Sequence, residues 1–476
     1  MSTTSQAGQR IAALLDENSF VEIGARVTAR ATDFNLKQTG TPSDGVITGY
    51  GVIDGNPVYV YSQDASVLGG SVGEMHARKI VALYQLAMKT GAPVIGLIES
   101  AGLRLQEATD ALNGFGEIYR KQVEASGVIP QITAIFGTCG GGLALIPTLT
   151  DFTFMEKKNA KLFVNSPNAL DGNTTEKCNS ACAQFQSEEA GIVDVVDEEA
   201  GILSKIRELV SLLPSNNEDG SVYEDCTDDL NRAGADLANC VGDTSIALSE
   251  IADDHAFFEI KADYAREMVT GFLRLDGMTV GAVANRTEVY DEEGKAVDKF
   301  DAVLTEKGCG KAADFINFCD AFDIPVLSLT NVKGYEATIG SEKGMAKAAA
   351  KLTAAFAGAT VPKVNVIIGQ AYGSAYVAMN SKAIGADITF AWTDAQIGMM
   401  DARLAAGILC EGQGAEAISA CAEEYAKLQN SVESAAKRGY VDEIIDAADS
   451  RKYIISAFEM LFTKREDRPA KKHGTV

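Results

Sequence analysis

Two stretches of this chain carry one pattern at one spacing. Residues 91–102 read GAPVIGLIESAG and residues 323–334 read DIPVLSLTNVKG. Pro93 aligns with Pro325, Val94 with Val326, Leu97 with Leu329 and Gly102 with Gly334, an offset of 325 − 93 = 232. IPQITAIFGTCGGG (129–142) and VPKVNVIIGQAYGS (361–374) repeat it, with Pro130 on Pro362, Gly137 on Gly369 and Gly141 on Gly373, and 362 − 130 = 232. Weaker echoes lie at 237 for SFVEI (19–23) against AFFEI (256–260), at 222 for TGYGVIDG (48–55) against TGFLRLDG (270–277), and at 236 for DFTF (151–154) against DITF (387–390). Small loop changes produce such drift. Separate segments that keep Pro and Gly in one register point to an internal duplication. The expected organisation is two copies of a unit of roughly 230 residues, 1–240 and 241–476. Their joint falls near 215–250, where PSNNEDGSVYEDCTDDLNRAGADL reads as a solvated linker with a helical turn.

Each copy alternates between two kinds of segment. Short Val/Ile-rich runs without strict polar alternation suit strands buried on both faces. Ala-rich helical stretches follow, such as Gly73–Thr90 and Lys343–Ala357, and Val58–Tyr61 after the turn at Asp54–Pro57 reads as one arm of a hairpin. The expected fold is an α/β domain made twice. The 42 basic and 66 acidic residues give a net charge of −24, which argues against a nucleic-acid binder. No run reaches the roughly 18 apolar residues of a membrane span. The opening MSTTSQAGQR lacks a secretory apolar core, and nine cysteines are sparse for a disulfide framework, so a cytoplasmic location is expected.

In each copy, buried strands run twice into glycine: at Ala101–Arg104 and Cys139–Gly142, and at Lys333–Tyr335 and Tyr372–Ala375. Glycine lets the backbone approach a ligand, and a helix that begins there presents unpaired N–H groups. Two such turns converging on one point form an oxyanion hole for an enolate or a tetrahedral oxyanion. No dinucleotide fingerprint or phosphate-binding P-loop is present. The three histidines, His76, His255 and His473, form no nucleophile–base arrangement, and His76 reads as structural. Cys139 reads as a small buried hydrophobe, and Cys178 with Cys182 forms a lone C-x-x-x-C, so no metal is expected.

Longer segments go further. YSQDASVLGGSVGEMHARKI (61–80), TCGGGLALIPTLTDFTFM (138–155), AYGSAYVAMNSKAIGAD (371–387), KRGYVDEIIDAADSRK (437–452) and KREDRPAKKHG (464–474) resemble signatures of one family in the same order. That family is the carboxyltransferase subunits of biotin-dependent acyl-CoA carboxylases and of sodium-pumping acyl-CoA decarboxylases. The resemblance implies two crotonase-like domains. It also implies transfer of CO2 from N1-carboxybiotin, on a separate carrier protein, to the enolate of acetyl- or propionyl-CoA. Biotin itself takes the α-proton, so no side-chain base is required. By analogy Gly102, Leu103, Gly141 and Gly142 would form the hole for the thioester oxygen. Gly334, Tyr335, Gly373, Ser374 and Ala375 would form the hole for the biotin ureido oxygen. Arg78, Lys79 and Arg104 are candidates for coenzyme A phosphates, and Tyr372 and Val377 for the ligand pocket. The implied partners are a biotin carboxyl carrier protein with a biotin carboxylase subunit, or a membrane decarboxylase subunit. The implied assembly is a homohexamer whose paired holes come from different subunits.

The chain departs from the family at several positions. Ser100-Ala101-Gly102-Leu103-Arg104 stands for Ser-Gly-Gly-Ala-Arg, and Asn331-Val332-Lys333-Gly334-Tyr335 for Asp-Val-Pro-Gly-Phe. Ser374 replaces a glycine, and MMDARLAAGILCEGQG (399–414) replaces a segment containing Gly-Pro. Three readings follow: a carboxylase carboxyltransferase, the α-subunit of a methylmalonyl-CoA-type decarboxylase, or a non-catalytic scaffold paralogue. A hydratase or isomerase would need paired carboxylates over the thioester, for which Glu99 and Glu107 are the local candidates.

Overall fold

An Asp-Gly turn recurs in both halves of the structure, joining two antiparallel strands in each. Asp54 and Gly55 have φ of +48° and +83°, and Asp276 and Gly277 have +51° and +74°. Two consecutive left-handed residues make the turn that matches the twist of a hairpin. The computed structural model describes residues 5–30, 40–173, 177–220, 222–291 and 293–469. His473 and the end of the KREDRPAKKHG segment lie outside these. The chain divides into two compact units, Met1–Gly220 and Ser221–Val476.

The first unit contains β1 (Val21–Ile23), β2 (Val46–Ile53), β3 (Asn56–Gln63), β4 (Val94–Ile98), β5 (Gln131–Ile135), β6 (Thr138–Gly140), β7 (Phe152–Glu156), β8 (Lys161–Phe163) and β9 (Val195–Asp197). Its main sheet runs β1-β2-β3-β4-β5-β7-β9. The first three strands are antiparallel and the rest parallel. Helices Glu74–Thr90 and Ala108–Ala125 pack together. They bury Ile80, Leu83, Tyr84, Phe115 and Ile118 with Val94, Ile98 and Ile135 of β4 and β5. The first helix stops at Gly91, whose φ of +64° forms a left-handed cap.

The second unit repeats this plan with β10 (Phe257–Ile260), β11 (Met268–Leu275), β12 (Met278–Asn285), β13 (Glu288–Tyr290), β14 (Ala296–Lys299), β15 (Val303–Leu304), β16 (Val326–Val332), β17 (Gly334–Tyr335), β18 (Lys363–Tyr372), β19 (Ile388–Trp392), β20 (Gln396–Gly398) and β21 (Glu443–Ile445). Its sheet runs β10-β11-β12-β16-β18-β19-β21, with β20 on the end of β18. The registers coincide. Val94 pairs with Gln131 and Val326 with Lys363, and 326 − 94 = 363 − 131 = 232. Asp151 accepts the Gln131 N–H at 2.8 Å, and Asp387 accepts that of Lys363 at 2.8 Å, an offset of 387 − 151 = 236. The same chain plan is built twice.

Two expectations shift in detail. The second copy's helix runs Met345–Gly358, after a 3-10 turn at Ser341–Lys343. The stretch expected as linker is only partly solvated. Tyr223 bridges Met278, while Leu237, Ala247, Leu248 and Ile251 are buried with β11 and β12. The division expected after residue 240 therefore falls inside the second unit. The run's many Asp and Asn residues mask the few apolar side chains that anchor it. Among the described residues no helix is long and apolar enough to cross a membrane.

Candidate active site

In the first unit the regular β4–β5 register ends at the pair Ile98–Ile135, and the Ser100 N–H still donates to Thr138 O at 3.1 Å. The chain from β4 turns through Ala101–Arg104. The chain from β5 turns at Gly141, φ +65°, into the helical residues Gly141–Thr148. A Cβ on Gly102, φ +93°, would lie 3.7 Å from the Gly140 carbonyl, so the two turns are neighbours. A Cβ on Gly141 would meet no atom within 4 Å. The Tyr119 hydroxyl donates to Gly142 O at 2.5 Å and steadies the turn. Val72 N–H donates to Gly102 O at 2.8 Å, and Arg104 N–H to Val72 O at 3.0 Å. Alternate strand N–H groups face opposite ways, so that of Leu103 faces away from Val72. The Leu103 side chain packs on the core. The Ala101 methyl lies over Gly69.

The second unit builds the counterpart. Leu304 pairs with Tyr335 as Val72 does with Leu103, and 304 − 72 = 335 − 103 = 232. Glu336 N–H donates to Leu304 O at 2.9 Å, the equivalent of Arg104 to Val72. Gly373 has φ +63°, close to that of Gly141. It opens the helix Gly373–Ala378, which packs against β17. First-turn N–H groups have no acceptor inside their helix. A Cβ at 373 would lie 3.3 Å from Met399 O. Beside this turn opens a cavity of about 930 Å3 lined by Gly373, Ser374, Tyr376, Val377, Met399 and Arg438 among others. Val377 is half-open to it at 36% exposure, and Ala375 is buried, leaving its N–H as its contribution. Below the helix, Thr330 and Asn365 reach Met379 O at 3.3 and 3.5 Å, and Asn380 donates to Ser328 at 2.9 Å.

Other expected residues are used differently. The Tyr372 ring is buried and its hydroxyl bonds Gln396, so its side chain is not open to a ligand. Arg104 is buried against Asp44 and Glu107, at 2.5 and 2.8 Å, and the carbonyl of Ser71 at 2.7 Å. Its guanidinium cannot reach a phosphate. Lys79 is also internal. Its ammonium donates to Ser43 O at 3.0 Å, to the Ser43 hydroxyl at 2.6 Å and to Val46 O, and burial brings its pKa down to about 8. Arg78 keeps an exposed head paired with Glu74 at 2.7 Å. The corrections for Arg104 and Lys79 share one cause. Ser43, Asp44 and Gly45 are all left-handed, at +55°, +47° and +71°, and their polar atoms draw Arg104, Lys79 and His76 inward.

His76 is buried and neutral, held between Gln63 and Asp44, while His255 lies at the surface near Glu250. Glu99 is committed to Arg10 at 2.5 Å, and Glu107 to Arg104 and the Glu74 N–H at 2.6 Å. No carboxylate pair of the hydratase kind results from them. Cys139 is buried, which pushes its thiol pKa up. Among the described residues no cluster of His, Cys, Asp or Glu side chains is placed to hold a metal. The cavity residues Met399, Met400, Tyr425, Arg438 and Tyr440 were not expected from sequence, since they come from segments distant from the glycines.

A family model described as the carboxyl transferase domain matches residues 4–476. The chain belongs to the carboxyl transferase family. It is 38% identical to the methylmalonyl-CoA decarboxylase subunit alpha of Propionigenium modestum, over 99% of this chain and 92% of that one. It is 41% identical to a putative propionyl-CoA carboxylase beta chain of Bacillus subtilis, over 99% and 93%. Among solved structures it resembles the transcarboxylase 12S hexamer with methylmalonyl-coenzyme A and methylmalonic acid bound, with a TM-score of 0.92 and 36% identity over 100% and 93%. A single-chain long-chain acyl-CoA carboxylase at 24% identity and TM-score 0.79 shares the fold. The two units are the crotonase-like halves of a biotin-dependent carboxyltransferase.

Proposed function

We propose that this chain moves a carboxyl group between biotin, on a separate carrier protein, and the α-carbon of a short-chain acyl-CoA. Propionyl-CoA and methylmalonyl-CoA are the favoured pair, because they are the uncarboxylated and carboxylated forms named in the relatives. The observation that carries the reading is the doubled turn, 232 residues apart in strand register and backbone sign. Transfer develops negative charge on two oxygens, that of the thioester and that of the ureido ring. The N–H groups of Leu103, Gly141 and Gly142 would hold the first. Those of Tyr335, Gly373, Ser374 and Ala375 would hold the second. Main-chain donors fixed by secondary structure need no reorganisation as charge develops.

The roomy cavity beside Gly373, walled by Val377, Ile397, Met399 and Met400 with polar groups from Ser374, Gln429 and Arg438, has room for the biotin ring. Biotin, when bound, supplies the carboxyl carrier and the base for the α-proton. The chain's part is to orient both oxygens and exclude water. Val377 offers an apolar wall suited to a short acyl tail. The decarboxylase reading runs the same half-reaction in reverse and adds a membrane partner, supported by the 38% identity to a decarboxylase α-subunit. A homohexamer is the proposed working form, in line with the 12S neighbour.

The purified chain is incubated with methylmalonyl-CoA and malonyl-CoA, with and without free biotin. The expected result is biotin-dependent loss of the carboxyl group, faster from methylmalonyl-CoA. No loss from either, with free biotin or the native carrier, would leave the scaffold reading in its place.

A further inference from the structure

The end of β18 falls out of step with β16. Pairing runs regularly to Thr330–Ile367 and resumes at Val332–Ala371, so 332 − 330 = 2 residues on one strand face 371 − 367 = 4 on the other. A side chain bridges the gap. Asn331 Oδ1 accepts the Gln370 N–H at 3.0 Å, replacing a strand carbonyl. The Asn331 N–H in turn donates to Asn285 Oδ1 at 3.0 Å, just where the β12–β16 ladder has ended at Ala284–Leu329. Both asparagines are buried, at 8% and 4% exposure. A Cβ on Gly369 would lie 2.6 Å from Asn331 Oδ1, so the glycine makes room for the bridge.

We propose that Asn331 is a positioning residue for the second oxyanion turn. Gly334 lies 334 − 331 = 3 residues beyond Asn331, and Gly373 lies 373 − 370 = 3 beyond Gln370. Tying those two points sets where the Tyr335 N–H stands relative to the N–H groups of Gly373, Ser374 and Ala375. This inference rests on the reading that these groups hold the ureido oxygen. The first unit lacks the device. Its equivalent residue is Glu99 (331 − 99 = 232), whose carboxylate goes to Arg10, although Gly137 makes the same kind of room. The two units thus share the glycine and differ in the tie, so only the second depends on a side-chain acceptor.

The test follows biotin-dependent loss of the carboxyl group from methylmalonyl-CoA for wild type, N331A and N331D, with the Tm of each. In N331A, kcat/KM for free biotin falls roughly 10-fold or more, as small misplacements of catalytic groups do, while KM for methylmalonyl-CoA stays within about twofold. N331D, which keeps the acceptor, recovers most of the loss. If N331A does not fold, N331S, whose hydroxyl falls short of Gln370, replaces it. Wild-type kcat/KM for biotin in N331A or N331S overturns the proposal and leaves the function intact. Equal losses for biotin and acyl-CoA, or no recovery in a stable N331D, also overturn it. An inactive wild-type chain overturns the underlying reading, and this proposal with it.

Discussion

His76 behaves least like a free side chain of its kind. Gln63 donates to its Nε2 at 3.2 Å, so the ring proton sits on Nδ1 and points to Asp44 O at 3.0 Å. Burial is the largest cause that lowers its pKa to about 3, with the Arg104 charge adding to it. Between pH 3 and roughly 6.5 the unfolded chain therefore binds a proton that the native state refuses, and stability falls as pH drops through that window. Each pH unit there costs about 1.4 kcal/mol for this group. Urea unfolding from pH 4 to 7 should show that slope reduced by one proton in H76Q. Arg104 makes a different prediction. R104M leaves Asp44 and Glu107 buried without their cation, and should cost roughly 3–5 kcal/mol in the same assay. His76 reads as structural from the sequence, but its partners and the burial of Arg104 were not legible, because nothing in SDG at 43–45 announces three left-handed residues. The duplication did hold a clue. Lys311 stands 311 − 79 = 232 from Lys79, is also buried, and donates to Lys261 O and Tyr264 O at 2.7 and 2.8 Å. Burial holds its pKa near 7. A lysine kept in both copies on the buried face of a helix is an interior residue.

At the scale of elements, the two Asp-Gly hairpins separate backbone cost from collision. A Cβ on Gly55 would meet nothing within 4 Å, whereas one on Gly277 would lie 1.8 Å from Glu224 O. G55A should therefore cost about 1–2 kcal/mol, the left-handed penalty alone. G277A adds displacement of the segment whose Glu224 N–H bonds Gly277 O at 3.0 Å, and should cost roughly twice as much or more. Denaturant midpoints of the two variants check the difference. These hairpins and the buried parallel strands were legible because Pro, Gly and β-branched runs mark them. The short β6, β8, β15 and β17 were not. Strands of two or three residues exist only through their partners, and composition carries no trace of that pairing. Leu103 shows the same limit. It departs from the family's alanine in the sequence, and in the structure it bridges Val72 while its side chain packs on the core.

For the whole molecule, duplication is the device. The proposed reaction charges two oxygens, and the chain makes one turn geometry twice. Two main-chain donors of that proposal stand at equivalent positions, Gly142 and Ser374, since 374 − 142 = 232. Both lie in the first turn of their helical segments, where proline is tolerated and removes the N–H, although at 142 its Cβ would also lie 3.1 Å from the Tyr119 hydroxyl. The decisive measurement is the steady-state kinetics of G142P and S374P in biotin-dependent decarboxylation of methylmalonyl-CoA, with acyl-CoA and free biotin varied separately. Loss of one oxyanion donor costs roughly 10²–10³-fold. That loss is expected in kcat/KM for acyl-CoA with G142P and for biotin with S374P, with the Tm of each showing that the variant is folded. Folded variants that keep wild-type kcat/KM for both substrates would contradict the proposal.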